Sequence, residues 1–315
     1  MSIADERNIP EITSFTTKLT TNNWGISDLN ILKNGENVTF TGSYKGQPIY
    51  TRVTENSRRS ESQLLSELNW VQSIHDSGII VANPITDLNN NYINTFKTQK
   101  DEYHVSVFNS APGESPDKSS HKVLFIAQQL GQTIGKLHHH SKPSKSISSG
   151  RHKWSENIHV LEAEKILGDF HQPFKEEWIK CFNWWENLTK TNELLLMHMD
   201  AHTGNFNVDK AGQICLFDFD DCAWNFLPYD LAVAINGLTW LSEDKSIYGD
   251  IQTTFLESYK SEYNLDSIWI ERIASFKRLR SIEMLAWSIR MYGVKDPKEA
   301  IESFNTELEV AADLI

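Results

Sequence analysis

The fold is decided by one stretch of the sequence, Leu196-Met197-His198-Met199-Asp200-Ala201-His202-Thr203-Gly204-Asn205. A turn through Lys210-Ala211-Gly212 precedes a second stretch, Cys215-Leu216-Phe217-Asp218-Phe219-Asp220. Each stretch begins as an apolar strand and ends in polar residues. The pattern therefore predicts two buried strands that bring carboxylate, amide and imidazole groups to the surface where they end.

The polar positions in these stretches resemble the catalytic segment of protein kinases and their small-molecule relatives. In those enzymes His-x-Asp is followed by an Asn and, further on, by a metal-binding Asp. The same positions here hold His198, Asp200, Asn205 and Asp218. On these residues the chain resembles the aminoglycoside phosphotransferase family, which also contains choline kinases, fructosamine kinases and type II homoserine kinases. The resemblance implies a protein-kinase-like, two-lobed α+β fold, with an N-terminal antiparallel sheet plus one helix and a larger, mainly helical C-terminal lobe.

The chemistry of phosphoryl transfer accounts for these residue types, because the triphosphate and the transition state are strongly anionic. The resemblance implies ATP and Mg2+ as cofactors, with Asn205 and Asp218 as the metal ligands. Both side chains offer oxygen atoms, which a hard cation prefers. Asp200 is then the base that orients the acceptor hydroxyl and takes its proton. His198 is expected to pack inward and brace the loop.

The same two stretches leave a second interpretation open. His198, Asp200 and His202 alternate along the chain, and Asp218 and Asp220 follow the second strand. Imidazole and carboxylate groups in this arrangement would also suit a first-row metal in a metallohydrolase. In the kinase interpretation, Asp220 contacts a second metal or the acceptor, or is solvated. The N-terminal part of the chain decides between the two interpretations.

Two turn signals near the N-terminus, Asn34-Gly35 and Lys45-Gly46, separate short apolar runs. This spacing predicts a three-stranded antiparallel meander. In the family such a meander covers the nucleotide, and Gly35 would allow the backbone to approach the phosphates closely. An ordinary hairpin turn explains Asn34-Gly35 equally well.

A cation and a carboxylate follow the meander's second turn. The third strand carries Arg52 where protein kinases carry a lysine, and a guanidinium still suits α- and β-phosphates. Ser60 and Gln63 form a capping box that begins a helix, which Gly78 ends. Glu67 lies beside the apolar stripe of this helix, where the family has the glutamate that pairs with the third-strand cation. The alternative is that Glu67 is a solvated helix charge.

The strand Tyr103-His104-Val105-Ser106-Val107-Phe108 ends in a cluster of Asn, Ser, Pro and Gly, which is typical of a hinge. We therefore predict a nucleotide-covering lobe over residues 1–108, a hinge over 109–116, and a helical catalytic and acceptor-binding lobe over 117–315. The resemblance implies that the adenine pocket is lined by Val107, Phe108, Asn109 and Ser110.

The second half of the chain is predicted to be helical. One amphipathic pattern ends at His138-His139-His140, and because successive helix residues point about 100° apart, these predict a polar helix end rather than a zinc site. Asp230 is predicted to cap a later helix, and the family's matching Asp supports the catalytic-loop backbone. The basic residues of the tail, such as Arg280, either hold an acceptor carboxylate or pair with surface carboxylates.

Charge and composition narrow the function classes. The chain has 30 Lys plus Arg against 42 Asp plus Glu, a formal net charge of −12, which argues against nucleic acid and anionic membranes as partners and favours a cationic or neutral substrate. No apolar run is long enough to cross a bilayer, and the N-terminus lacks the basic and hydrophobic regions of a signal peptide. Three cysteines without metal-ligand spacing fit a reducing compartment, so a cytoplasmic location is expected.

The resemblance implies an ATP- and Mg2+-dependent phosphotransferase that moves the γ-phosphoryl group to a hydroxyl of a small molecule, such as an aminoglycoside, an amino alcohol or homoserine. No motif names the acceptor. The alternatives are a Ser/Thr protein kinase of the same superfamily, a non-catalytic nucleotide binder and, least favoured, a metallohydrolase.

Overall fold

The structure, a computed structural model, describes residues 7–118, 122–142, 150–294, 297–310 and 314. The chain divides into two compact units, of which the first contains residues 1–112, 144–151 and 215–220 and the second contains 113–143, 152–214 and 221–315. The first unit is built on an antiparallel sheet, and the second is mainly helical. No helix within the described ranges is long and apolar enough to span a membrane.

The first unit contains a single sheet of six strands. In chain order the strands are β1 (Ser27–Asn34), β2 (Val38–Tyr44), β3 (Gln47–Glu55), β4 (Pro84–Ile85), β5 (Asn94–Lys97) and β6 (Glu102–Asn109). They pair antiparallel in the order β1-β2-β3-β6-β4, and β5 also pairs with β6. Strands β1 to β3 are the predicted meander.

The described residues of this unit form two α-helices, α1 (Ile9–Trp24) and α2 (Glu61–Asp76). Helix α2 begins with the predicted capping box: Ser60 Oγ accepts the Gln63 N–H, and the Gln63 side chain accepts the Ser60 N–H. It ends before Gly78, whose φ of +90° lies in the left-handed region that favours glycine. Helix α1, which sequence patterns did not predict, buries Ile12 against the sheet.

The second unit carries the remaining helices and most of the short strands. The helices are α3 (Val123–Ser141), α4 (Ile158–Phe170), α5 (Gln172–Thr189), α6 (Leu227–Thr239), α7 (Tyr248–Glu262), α8 (Ser267–Glu271), α9 (Ile273–Tyr292) and α10 (Pro297–Val310). Its strands are β7 (Leu195–Met197), β8 (Phe206–Val208) and β10 (Ala223–Asn225), whereas β9 (Ile214–Leu216) has its last two residues in the first unit. Strand β7 pairs antiparallel with β10, and the turn predicted around Gly212 follows β8, where the Gly212 N–H donates to Asp209 O at 3.0 Å.

Helices α3 and α7 pack closely because glycines lie between them. A Cβ atom at Gly135 of α3 would lie 2.8 Å from the Cβ atom of Glu262 and 2.9 Å from the carbonyl oxygen of Tyr259. Gly131, one turn earlier, meets the carbonyl of Phe255 in the same way. The two helices cannot move apart without losing buried contacts, because protein interiors pack at near-crystalline density.

The substitution Gly135→Ala should lower the free energy of unfolding by about 1–3 kcal/mol, because the added methyl group overlaps backbone and Cβ atoms of α7. Urea unfolding followed by circular dichroism measures the change. Gly249→Ala is the matched control: this glycine also lies in a helix, α7, but a Cβ there meets no atom within 4 Å. Equal stability of the two variants would contradict the close approach of α3 and α7.

Candidate active site

The loop after strand β7 is fixed from inside by a histidine. His198 is completely buried, and its Nδ1 accepts the backbone N–H of Asp200 at 3.3 Å. The expectation that His198 packs inward and braces the loop is confirmed. A ring nitrogen that accepts this N–H is not available to a metal, which counts against the metallohydrolase arrangement.

A buried carboxylate holds the same loop from α6. Asp230 Oδ2 accepts the N–H of His198 at 3.0 Å, and Oδ1 accepts the N–H of Met199 at 2.6 Å. Met199 has a φ of +72°, a conformation that persists in a non-glycine residue only when its surroundings enforce it. Asp230 therefore supports the catalytic-loop backbone as predicted. Its predicted role as a helix cap is wrong, because Phe226 occupies the cap position of α6 and Asp230 lies within the first turn.

Asp230 has a third partner that the sequence did not suggest. His138 of α3 is completely buried; its Nε2 lies 3.2 Å from Asp230 Oδ2, and its Nδ1 lies 2.9 Å from the hydroxyl of Tyr259. A neutral imidazole satisfies both contacts by donating from Nε2 and accepting at Nδ1. The interpretation of 138–140 as a polar helix end is therefore wrong for His138, since that position faces packed helices, although His139 is exposed.

Asp200 receives hydrogen bonds from its own loop. Asn205 Nδ2 donates to the backbone oxygen of Asp200 and to its Oδ2, both at 2.9 Å. His202 Nε2 lies 3.4 Å from the same Oδ2. Because His202 Nδ1 accepts the N–H of Gly204 at 2.9 Å, the neutral ring carries its proton on Nε2, facing the carboxylate.

The other oxygen of Asp200 is bound by Arg280 of α9. Arg280 Nη2 donates to Asp200 Oδ1 at 2.6 Å. Burial alone would raise the pKa of Asp200, but the hydrogen bond from His202 and the positive charge of Arg280 outweigh it, so the pKa lies below that of a free aspartate. Of the two roles left open for the basic tail, pairing with a surface carboxylate does not apply to Arg280, because its partner is the predicted base itself, and binding of an acceptor carboxylate stays a prediction.

The predicted ion pair of the first unit is present. Arg52 Nη1 lies 2.8 Å from Glu67 Oε1, and Nη2 donates to Oε2 at 2.9 Å. Glu67 is completely buried, so its interpretation as a solvated helix charge is wrong. Burial would lower the pKa of Arg52, yet the charges of Glu67 and Asp220 outweigh burial and raise it. The hydrogen bond and the second close contact together restrict the orientation of the guanidinium.

Asp220 lies in the same cluster of charges. Its Oδ2 accepts hydrogen bonds from Asn37 at 2.8 Å and from Arg58, and its Oδ1 lies 3.7 Å from Arg52 Nη1. Burial would raise the pKa of Asp220, but the arginines, Arg58 foremost, hold it well below its usual range. Of the roles left open for this residue, solvation is excluded, because it is 4% exposed.

Arginines also hold the turn between β1 and β2, where Gly35 lies. Arg7 donates to the backbone oxygens of Gly35 and Glu36, the latter at 2.7 Å. Arg58 contacts the Glu36 carboxylate at 2.7 Å. Backbone and side chain of the turn are thus both tied to charged groups within the first unit. Neither Arg7 nor Arg58 carried a sequence signal, since both partners lie far away along the chain.

The residues predicted to line the adenine pocket, 107–110, lie at the end of β6, an interior strand of the sheet, and just after it. The Val107 side chain is buried in a core cluster with Trp24, so only its backbone could meet a ligand. The Arg52 guanidinium lies over the Phe108 ring, 5.0 Å from its centroid. The N–H of Asn109 donates to Asn83 O at 3.0 Å, and that of Ser110 to Pro48 O at 3.4 Å.

Several of the side chains described above offer polar atoms that suit a phosphate group or a hard cation. Arg52 Nε and Asp220 Oδ1 are buried without a hydrogen-bond partner among the described residues. Asn205 donates through Nδ2, which leaves its carbonyl oxygen as the side-chain atom that can bind a cation. Asp218 follows β9 with a φ of +61°, a strained conformation of the kind that collects at functional sites.

Comparison with known proteins gives the chain its family. Residues 33–268 match the model of the phosphotransferase enzyme family. The chain belongs to this family. Its relatives include the amicoumacin kinase of Bacillus subtilis (strain 168), which is 27% identical over 292 residues, covering 88% of this chain and 86% of that protein.

Solved structures share the fold over nearly the whole chain. Amicoumacin kinase hAmiN, in complex with AMP-PNP, Ca2+ and Ami, has a TM-score of 0.82 at 21% identity and covers 96% of both chains. A microcompartment-associated aminopropanol kinase has a TM-score of 0.66 at 19% identity and covers 93% of both chains. The spectinomycin phosphotransferase APH(9)-Ia, in complex with ADP and spectinomycin, has a TM-score of 0.64 at 18% identity, covering 95% of this chain and 94% of that chain.

These comparisons confirm the predicted fold class and the predicted reaction class. The chain has the α+β fold of protein-kinase-like phosphotransferases. As a member of the phosphotransferase enzyme family it is a kinase that transfers a phosphoryl group to an alcohol group. The metallohydrolase interpretation is therefore set aside.

The substitution Asp230→Asn should reduce both stability and activity. An amide replaces one of the two oxygens that accept the N–H groups of His198 and Met199 with an NH2 group, so one buried donor loses its acceptor and the free energy of unfolding should fall by about 2–4 kcal/mol. Urea unfolding measures this loss. Glu243→Gln, at an exposed position after α6, is the control, and a loss no larger than in the control would show that Asp230 does not hold the loop.

Proposed function

We propose that this protein is an ATP- and Mg2+-dependent kinase that phosphorylates a hydroxyl group of a small molecule, with Asp200 as the base. The observation that carries the proposal is the set of contacts of Asp200. Its carboxylate is held by Asn205 on one oxygen and by Arg280 on the other, on a loop with strained backbone at Met199. A fixed, ionised carboxylate can orient a hydroxyl and accept its proton as transfer proceeds.

In this proposal Asn205 and Asp218 bind Mg2+. Each offers the oxygen ligand that this cation prefers, and hAmiN was solved with Ca2+, another oxygen-binding divalent cation. When bound, the metal neutralises charge on the phosphates. The hydrogen bond from Asn205 Nδ2 to Asp200 fixes the amide, so its carbonyl oxygen keeps one orientation.

Arg52 is proposed to hold the α- and β-phosphates. Its pair with Glu67 restricts the orientation of the guanidinium, and its Nε is a buried donor with no partner in the described part of the chain. A phosphate oxygen would satisfy that donor. The turn at Gly35 is proposed to cover the phosphates, and residues 107–110 are proposed to line the adenine pocket, Val107 through its backbone.

The acceptor is proposed to be an amine-bearing alcohol. The relatives found by comparison carry the names of amicoumacin, aminopropanol and spectinomycin, and the formal net charge of −12 favours a cationic acceptor. Amicoumacin is the first compound to test. Aminoglycosides, amino alcohols and homoserine complete the panel.

The substitution Asp200→Asn should lower acceptor phosphorylation by 10²-fold or more, on the order expected for loss of a base, while ATP affinity stays within a few-fold of the wild type. The assay is ADP release with the acceptor panel, and nucleotide binding is measured by calorimetry. Near wild-type turnover in this variant would show that Asp200 is not the base. A peptide array with the same ATP mixture is the control for the alternative of a Ser/Thr protein kinase.

The substitution Asp218→Asn should weaken binding of Mg-ATP by roughly tenfold or more, because a metal ligand loses its charge. Calorimetry with and without Mg2+ separates the metal-dependent part of the affinity. We expect the variant to bind metal-free ATP as the wild type does. An equal loss of affinity with and without Mg2+ would place Asp218 outside the metal site.

A further inference from the structure

The guanidinium of Arg280, on helix α9, contacts the predicted base, Asp200. Buried side chains hold this guanidinium in place. Arg280 Nη2 donates to Asp200 Oδ1 at 2.6 Å, and Arg280 Nη1 donates to the Tyr229 hydroxyl at 3.0 Å. That hydroxyl in turn donates to Glu283, three residues along α9. Tyr229 is completely buried and Glu283 is 5% exposed. Buried residues therefore hold the guanidinium, and moving it away from Asp200 would leave polar groups without hydrogen-bond partners.

The two oxygens of Asp200 have donors from different parts of the fold. Oδ2 is bound from within the loop, by Asn205 at 2.9 Å and by His202 at 3.4 Å, whereas Oδ1 is bound from α9 by Arg280. The terminal torsion of an aspartate is soft, so a carboxylate held on one oxygen can turn. Donors on both oxygens fix its plane.

This contact differs from an ordinary surface ion pair. The Asp200 and Arg280 side chains are 19% and 22% exposed, and the bond is charge-assisted and short. By contrast, Arg290 on the same helix pairs with Glu162, whose side chain is 45% exposed. An exposed ion pair such as Arg290–Glu162 does little to hold either side chain in one orientation, because water competes for both partners.

We propose that Arg280 is a positioning residue that sets the orientation of the Asp200 carboxylate toward the acceptor hydroxyl. This inference rests on the proposed function of Asp200 as the base. It makes α9 part of the catalytic apparatus, although no residue of α9 lies within a motif that the sequence revealed. Arg280 acts through Asp200, and Tyr229 and Glu283 hold Arg280 in place.

The test compares Arg280→Met and Arg280→Lys with Arg290→Met, using the acceptor that gives the highest turnover in the panel. Arg280→Met should lower kcat on the order of 10²-fold, the cost of a misplaced catalytic group, with the KM for ATP within about twofold of the wild type. Arg280→Lys should recover part of kcat, because an ammonium keeps the charge but cannot span Asp200 and Tyr229 as a planar fork does. Arg290→Met should behave as the wild type.

Crystal structures of the wild type and of Arg280→Met give a readout that does not need an acceptor. The Asp200 carboxylate should be rotated or present in more than one orientation in the variant. An unchanged carboxylate, or a kcat for Arg280→Met equal to that of Arg290→Met, would overturn the inference.

Failure of this inference is distinguishable from failure of the proposed function. If Asp200→Asn is inactive while Arg280→Met is fully active, Asp200 remains the base and Arg280 does not position it. If Asp200→Asn is active, the assignment of the base fails, and the inference fails with it. A general loss of folding in Arg280→Met would lower the thermal midpoint and the amount of active enzyme alike; active-site titration corrects kcat for this, and Arg280→Lys, which keeps the charge, supplies the second measurement.

Discussion

The second unit depends on the buried carboxylate of Asp230. The backbone N–H groups of His198 and Met199, in the loop after β7, donate to its oxygens. His138 of α3 contacts the same carboxylate. An isolated charge at such depth would be strongly destabilising, so the partners and the carboxylate require one another. One side chain thereby joins α3, α6 and the loop after β7, and it keeps Met199 in a backbone conformation that the loop would not adopt alone.

The side chain of Asp200, which lies in this loop, is held by contacts of its own. The backbone is held from α6, whereas the carboxylate is held from the loop on one oxygen and from α9 on the other. Position and orientation of the carboxylate are therefore set by separate elements. The first unit uses charge in a comparable way: Glu67 and Asp220 hold Arg52 and Arg58, and these contacts tie the β1–β2 turn to the segment that follows β9.

Local signals in the sequence predicted much of this arrangement. The meander follows from its turns, α2 follows from its capping box and Gly78, and the partnership of Arg52 with Glu67 follows from strand and helix positions in the resembled family. The roles of Asn205 and Asp218 as metal ligands and of residues 107–110 at the nucleotide stay predictions, because the resemblance assigns them by position in the sequence.

Other contacts carried no local signal. His138 meets Asp230 across 92 residues and Arg280 meets Asp200 across 80, and no periodicity or spacing relates residues so far apart. A run of histidines at a helix end predicts solvated side chains, but the packing of α3 buries His138 and leaves His139 exposed. Helix α1 was not predicted, because its Thr- and Asn-rich sequence has a low intrinsic helix propensity.

The arginine at position 52 has a consequence for chemical labelling. A reagent that acylates an amine reacts with a lysine side chain only after that side chain loses its proton. A guanidinium that is buried against Glu67, with its pKa raised further by the neighbouring carboxylates, remains protonated and offers no nucleophilic nitrogen. Amine-directed reagents would therefore not label Arg52.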